Sequence, residues 1–414
     1  MSAGLTWFEG TPATWPIVRT KFLFARQQRP VREGDDIVTA FRDGQVALRR
    51  NRRTEGFTNA AKEIGYQGIR KGDLVVHAMD AFAGAIGVAE DDGKSTPVYS
   101  VCTPKRPDVF TPYYARLLRH MALSGFVESL SKGVRERSTE FRWAELSEVS
   151  LPMPPAAEQE RIANFLDEQT ARIDALIAEK ERLLLVLSES LDSAIERTVL
   201  APDGTTSKVA LKRVAHRVIT GPFGSALHSS EYVEGGVPVI NPSHILSATL
   251  VPAADVSVNQ ATASALASYK LSEGELVVGR RGEMGRCAVV PPEGSGWLCG
   301  TGCLLVTPNP AKVNPEYLQL VVSSRAAREW LSLESVGSTM ENLNTEILGR
   351  LPGYFPSREE QGRRVAEAVI ARNAHAKLFS HVETHISRLR EYRSSLISAA
   401  VTGQLDINAY KEAA

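Results

Sequence analysis

Four stretches from the first half of the chain recur in the second, in the same order and 200 to 204 residues further on. KGDLVVHAMDAFAGAIG (71–87) is matched by EGELVVGRRGEMGRCAV (273–289), each reading as a buried strand followed by a glycine-bearing turn. TPYYARLL (111–118) is matched by NPEYLQLV (314–321), two helix starts with proline near the first turn. Gly133 and Gly337 precede polar stretches that end in Leu151-Pro152 and Leu351-Pro352. PPAAEQERI (154–162) shares its proline and Glu-Gln pair with FPSREEQGRR (355–364). An internal duplication of this kind calls for two like units, each a mixed globular segment running into a helix. The second segment carries about ten extra residues near its start, around GPFGSALHSSEY (221–232).

Each half closes with a long helix. The first is expected from about Pro155 to Thr198, stopped by Pro202-Asp203-Gly204. The second opens at Ser357 with Glu360 three residues on, a capping-box spacing, and ends at Gly403. Phe379, Val382, Ile386, Leu389, Leu396 and Ala400 alternate at three and four residues, with Arg393 interrupting. The same positions 202 residues earlier are Ile177, Lys180, Leu184, Leu187, Leu191, Ala194 and Thr198. Two apolar seams in one register are buried most simply against each other. About 42 residues at 1.5 Å each make a rod of roughly 60 Å.

The composition is that of a globular protein, with 48 basic and 48 acidic side chains and 43% hydrophobic residues. Zero net charge gives nucleic-acid binding no general support, so any DNA contact needs local basic patches. Residues 1–150 hold 22 Lys/Arg against 18 Asp/Glu, whereas residues 151–200 hold 5 against 10. The acidic first helix therefore suits protein or solvent rather than phosphate. The N-terminus shows no basic region followed by an apolar stretch, and no apolar run approaches a membrane span. Four cysteines in 414 residues make no disulfide framework. A cytoplasmic protein with no membrane association is expected.

No catalytic constellation is complete. GVAEDDGKS (87–95) ends like a phosphate loop, but Val88 stands where the first glycine belongs, which leaves a polar hairpin turn. Gly279, Gly282 and Gly285 are spaced three apart and make no dinucleotide fingerprint. Cys287, Cys299 and Cys303 lack a C-x-x-C pair and a clear fourth ligand, so core packing is expected and no metal site. Asn241-Pro242-Ser243 lacks the second proline and aromatic ring of an amino-methyltransferase motif. No acidic-x-Lys follows Pro107-Asp108 or Pro202-Asp203 to complete a nuclease centre. The binding features are softer. Arg49, Arg50, Arg52 and Arg53 crowd four guanidiniums into five residues, fit for phosphate or guanine and equally for a solvated loop. Arg280-Arg281 follows the second buried strand in a glycine-rich setting that suits a ligand or a tight turn. Asn, Ser and His in 221–244 suit hydrogen bonding to DNA or turn formation.

The order of these parts resembles a type I restriction–modification specificity subunit. The likeness is carried by the paired Leu-Pro…Pro…Glu-Gln helix openings at 151–159 and 351–361. The helix endings SLDSAIERTVL (190–200) and SLISAAVTGQL (395–405) add to it. The segment ITGPFGSALHSSEYVEGGVPVINPSHI (219–245) resembles the opening of many target-recognition domains of that family. AFRDGQVALRRNRRTEGF (40–57), with 71–87, is similar to another branch of them, but shows no counterpart of Gly221-Pro222-Phe223-Gly224-Ser225.

The resemblance implies an α+β fold with two target-recognition domains joined by two long antiparallel coiled-coil helices, in a pseudo-two-fold arrangement. Its expected parts are a first recognition domain at 1–152 and a central spacer helix at 153–204. A second recognition domain at 205–352 and a C-terminal spacer helix and tail at 353–414 follow. It implies a non-catalytic subunit that reads a split, asymmetric sequence in double-stranded DNA. Methyltransferase subunits that bind S-adenosylmethionine would be its partners, as would restriction subunits that hydrolyse ATP. The chain itself would hold no cofactor. Candidate DNA contacts are Arg49, Arg50, Arg52 and Arg53 in the first domain. In the second they are Ser225, Ser229, His244, Arg280 and Arg281. The alternatives are an enzyme acting alone, a scaffold without sequence preference, and a solitary specificity protein acting without a restriction subunit.

Overall fold

The structure, a computed structural model, describes residues 8, 10–52, 63–129, 141–200, 208–222, 226–335 and 343–410. Gly133, Gly337 and Pro202-Asp203-Gly204 lie outside the described residues. The chain forms two compact units, Met1–Lys180 with Thr384–Ala414, and Glu181–Glu383.

In the first unit, β1 (Phe24–Gln27), β2 (Leu74–His77), β3 (Ile86–Val88) and β4 (Tyr99–Pro104) form an antiparallel sheet in the order β1-β4-β2-β3. Leu74, Val75 and Val76 are wholly buried because both sheet faces are covered. Alternation sends Leu74 and Val76 towards helix α1 (Thr111–Leu123), where Tyr113, Tyr114 and Leu117 meet them. Val75 points the other way, into a small core with Val38, Val46, Ile69 and Val101. The strand Ile17–Arg19 pairs with Ser150–Pro152, which ties the start of the globular segment to its end. The long helix α2 (Ala156–Val199) follows. Gly93-Lys94-Ser95, expected in a hairpin turn, is a strand paired with Gln67–Ile69, and Lys94 is bound to Glu63 at 2.7 Å.

The second unit repeats this frame. Strands β5 (Ala215–Thr220), β6 (Leu276–Gly279), β7 (Cys287–Val289) and β8 (Cys303–Pro308) run in the order β5-β8-β6-β7, again antiparallel. Leu276 and Val278 face helix α3 (Pro315–Ser323), while Val277 faces a separate core with Ile240, Leu271 and Leu305. Val209–Ala210 pairs with Pro352–Gly353 as the closing tie, and helix α4 (Arg358–Val401) follows.

Each globular segment is fastened to its helix by one buried glutamine. Gln159 and Gln361 are both fully buried. The Gln159 carbonyl accepts the Phe110 N–H at 2.8 Å, and its amide donates to Asp108 O (3.0 Å) and Pro154 O (2.8 Å). Gln361 accepts the Asn314 N–H at 2.7 Å and donates to Lys312 O (2.9 Å) and Pro356 O (2.8 Å). The glutamine of the recurring Glu-Gln pair is therefore a clasp joining the strand-to-helix turn, the helix approach and the helix itself.

Each unit contains one half of each long helix. In the first unit, Ile173 and Ile177 of α2 share a core with Leu389, Leu396 and Ala400 of α4. Arg393 breaks the apolar alternation because it pairs with Asp174 through two bonds of 2.8 and 3.0 Å. In the second, Leu191, Ile195 and Val199 pack with Val365 and Ala368. There Ser190 faces His375 (3.4 Å) and Thr198 O accepts from Arg364 (2.9 Å), so the two helices run antiparallel. Ile386 and Leu396 are buried, and Ile177, Leu184, Leu187, Leu191, Phe379, Val382 and Leu389 are half-buried. Half of the expected capping box forms. Ser357 Oγ accepts the Glu360 N–H (3.3 Å), but the Glu360 carboxylate is taken by Arg363 (2.5 Å) and Arg364 (2.7 Å). Gly403, at φ +73°, ends α4 in the left-handed conformation that favours glycine. Among the described residues no helix is long and apolar enough to cross a membrane.

Cys102, Cys287, Cys299 and Cys303 are free and buried in these cores. Burial pushes the thiols of Cys102, Cys287 and Cys299 up to about 12 and raises Cys303 as well. A thiol reagent at pH 8 should therefore label none of the four in the native protein and all four after unfolding; rapid native labelling would contradict this packing. Gln361→Ala would leave one N–H and two carbonyls, all partly buried, without their partner, at up to about 1–3 kcal/mol each where water cannot replace it. Hydrogen exchange at the Asn314 amide should accelerate and the urea midpoint should fall. Unchanged protection would remove the clasp from the list of what holds the unit together.

Candidate nucleic-acid interface

Both sheets present the same edge of the frame to their most divergent loops. In the second unit, β5 and β6 end there, and β7 and β8 begin. The Gly221 N–H donates to Cys303 O at 2.9 Å, and Arg280 N–H to Gly302 O at 2.9 Å. A Cβ on Gly221 would lie 1.9 Å from Gly300 O, and one on Gly300 would lie 2.2 Å from Asn241 Oδ1. Glycine is required at both places because three backbone segments converge with no room for a side chain.

The sequence candidates in this unit separate into frame and surface. His244 is 7% exposed and closes a one-turn helix, Pro242–His244. Its Nδ1 lies 3.1 Å from Val239 O and 3.2 Å from the Asn241 N–H, so the ring holds the loop and is not an exposed contact. Arg280 is also 7% exposed, and its Nε donates to Leu343 O at 2.9 Å. The Leu343 N–H returns a bond to Arg280 O at 2.9 Å. Burial and the adjacent Arg281 both lower the Arg280 pKa. This guanidinium, proposed from the sequence as a DNA contact, is a strap across the sheet end with little of its surface open. Arg281 is exposed on the next turn and makes no ion pair among the described residues. Ser225 lies outside the described residues, and the Ser229 backbone forms part of the short turn Ser229–Glu231.

In the first unit the same sheet end carries His77, whose ring meets Tyr99 edge-on at 4.6 Å and accepts the Asp80 N–H at 3.0 Å. Burial holds the His77 pKa below its usual value. The expected arginine cluster is dispersed. Arg49 Nε donates to Thr39 Oγ1 (3.1 Å), Arg50 pairs with Asp36 (3.0 Å), and Arg52 pairs with Asp43 (2.7 Å) over the Phe41 ring. The Asp43 hydrogen bond raises the Arg52 pKa. Arg53 lies outside the described residues. The Arg50 and Arg52 pairs are exposed, so DNA phosphate could displace the aspartates at small cost. They still reduce the local positive field.

The strand pairings also reveal a correspondence that the sequence hides. Leu74 and Leu276 pair with Cys102 and Val306, so Gln27, opposite Val101, occupies the place of Ile219, opposite Leu305. Arg29-Pro30 then stands where Gly221-Pro222 stands in the second unit. The extra residues of the second unit fall after this point, since 54 positions separate Pro222 from Leu276 and 44 separate Pro30 from Leu74. The signal available in sequence was an X-Pro pair ending the first sheet strand in each half.

Residues 223–366 match the family model of the type I restriction modification DNA specificity domain. Among curated proteins no match is found. The fold is shared with a chain from a structural study of complex assembly and conformational transition in the type I R-M system. That chain is 15% identical, with a TM-score of 0.76, and the likeness covers 95% of this chain and 99% of that one. The HsdS subunit from Thermoanaerobacter tengcongensis is 16% identical, with a TM-score of 0.54 and coverage of 95% and 98%.

The different placements of Arg280 and Arg281 have opposite consequences. Arg280→Ala should lower the unfolding midpoint of the second unit, as expected when a buried carbonyl loses its partner. Arg281→Ala should leave that midpoint unchanged and reduce the slope of log affinity for DNA against log salt by about one. Equal effects of the two substitutions on stability would overturn the distinction.

Proposed function

We propose that this chain is a type I restriction–modification specificity subunit, the DNA-reading component of a complex whose methyltransferase subunits carry the chemistry; the specificity-domain match and the shared fold support this reading. The observation that carries the reading is the duplicated frame with unlike loops at one sheet end. A common frame presents loops in the same way in each unit, and different loops allow each to prefer different bases. The expected target is therefore bipartite and asymmetric. The specificity-domain match at 223–366 supports DNA as the ligand of the second unit, and the sheet equivalence extends that reading to the first.

The two 44-residue helices supply the spacer in this proposal. At 1.5 Å per residue each is about 66 Å long, well beyond one turn of DNA at about 34 Å. A paired helix resists bending more than a loop does, so the gap between half-sites would be fixed mechanically. Contact with methyltransferase partners would use surface left by the DNA-reading loops, and neither cofactor nor metal would be held by this chain.

The test uses the chain assembled with its methyltransferase partners on a pool of duplexes with randomised sequence. Two short selected blocks separated by a constant unselected gap are expected. Inserting seven residues after Leu187 and seven after Leu378 preserves the helical seam and adds about 10 Å. The gap should then lengthen by about three base pairs at 3.4 Å each. An unchanged gap would sink the spacer proposal, and a pool that selects no sequence would sink the DNA-reading role itself.

A further inference from the structure

We propose that the first unit reads base edges through a cleft at the end of β1, with Arg26, Gln28 and Tyr66 as specificity-determining side chains. The inference rests on the DNA-reading role proposed above and assigns that role to residues the sequence did not single out. The cleft has a volume of about 380 Å³, and its walls include Arg26, Gln28, Arg29, Pro30, Tyr66 and Pro97.

The geometry divides these side chains by task. Arg29 is spent on the frame, since both of its terminal nitrogens bind Asp73 at 2.5 and 2.9 Å, and the Asp73 side chain is only 4% exposed. Arg26 and Gln28 are two residues apart at the end of an edge strand, so they share a side. Gln27 between them is turned to the other side and donates to Thr103 Oγ1 at 2.7 Å. Arg26 and Gln28 are exposed, and Arg26 makes no ion pair among the described residues. Glu63, the acid just before this wall, is held by Lys94 at 2.7 Å.

One guanidinium fork, one amide and one phenol ring, in a cleft that two prolines also line, do not make a strong phosphate trap. They suit base pairs seen edge-on. An arginine can donate two bonds to guanine, and a glutamine amide can both donate to and accept from adenine. The ring and prolines offer apolar contact to a thymine methyl. Pro30 holds the place of Pro222, so the cleft opens where the specificity domain of the second unit begins. The sequence-based choice of Arg49, Arg50 and Arg52 instead falls on side chains that already have partners.

The experiment uses the full chain assembled with its methyltransferase partners and the same randomised duplex pool. Phosphate-ethylation interference on the selected target, with the unmodified chain and with Arg281→Ala, identifies the half-site bound by the second unit as the one that loses a phosphate contact. The double variant Arg26→Ala, Gln28→Ala should lose base preference in the other half-site and bind the wild-type target about tenfold more weakly. Arg26→Lys keeps the charge without the fork, so it should retain affinity for unrelated DNA while losing preference at one base. Both side chains are exposed, and thermal melting should be unchanged. If the double variant selects the wild-type sequence in both halves, or loses preference in both halves equally, the cleft assignment is overturned. If the unmodified complex selects nothing, the DNA-reading role fails and the cleft falls with it.

Discussion

A fully buried glutamine amide holds each unit together at the point where sheet, turn and helix meet. A glutamine suits this place because it can accept one backbone N–H and donate to two carbonyls at once. Gln159 and Gln361 each do so, on corresponding atoms of the two units. A glutamate could accept but not donate, and a leucine would leave three polar groups dry. The clasp fixes where each long helix begins relative to its sheet, and through the sheet it fixes the end that carries the divergent loops.

The units solve a second problem differently. The last carbonyls of a helix have no partner within it. In the first unit the Tyr113 hydroxyl donates to Val401 O at 2.8 Å, capping the end of α4. In the second, buried Arg364 donates to Thr198 O (2.9 Å) and Leu200 O (2.8 Å), capping the end of α2. Counted from the clasped N–H groups of Phe110 and Asn314, the tyrosine in the place of Tyr113 is Tyr317, and it bonds instead to Tyr354 O. Two chemistries meeting one backbone demand show that the frame constrains geometry more tightly than residue identity.

This explains how much of the molecule could be read in advance. The strand Leu-Val-Val, the helix starts at Pro112 and Pro315, and the long apolar alternations were legible because burial imposes a period on sequence. The clasp residues were visible only as a recurring Glu-Gln pair, since nothing in a sequence says which atoms a glutamine will meet. Candidate contacts were harder. Arg280 looks like a surface cation but closes a backbone strap with Leu343, and His244 looks like a polar loop residue but is buried. Arg26 and Gln28 gave no local signal because their meaning depends on which strand lies at the sheet edge. The Arg29-Pro30 correspondence stayed hidden because about ten residues inserted later shifted the offset of the repeat.

The division of the helices has a consequence for the order in which the protein takes shape. The first unit contains residues up to Lys180, but its core also includes Leu396, Ala400 and Val401, and Tyr113 waits for a carbonyl 288 positions away. During synthesis at about 5–20 residues per second, its sheet emerges well before those side chains exist. For roughly ten seconds or more its apolar helix face has no native cover. The second unit lies wholly between, and every residue of its core is made before the first unit can close. The segment translated first is thus the one completed last.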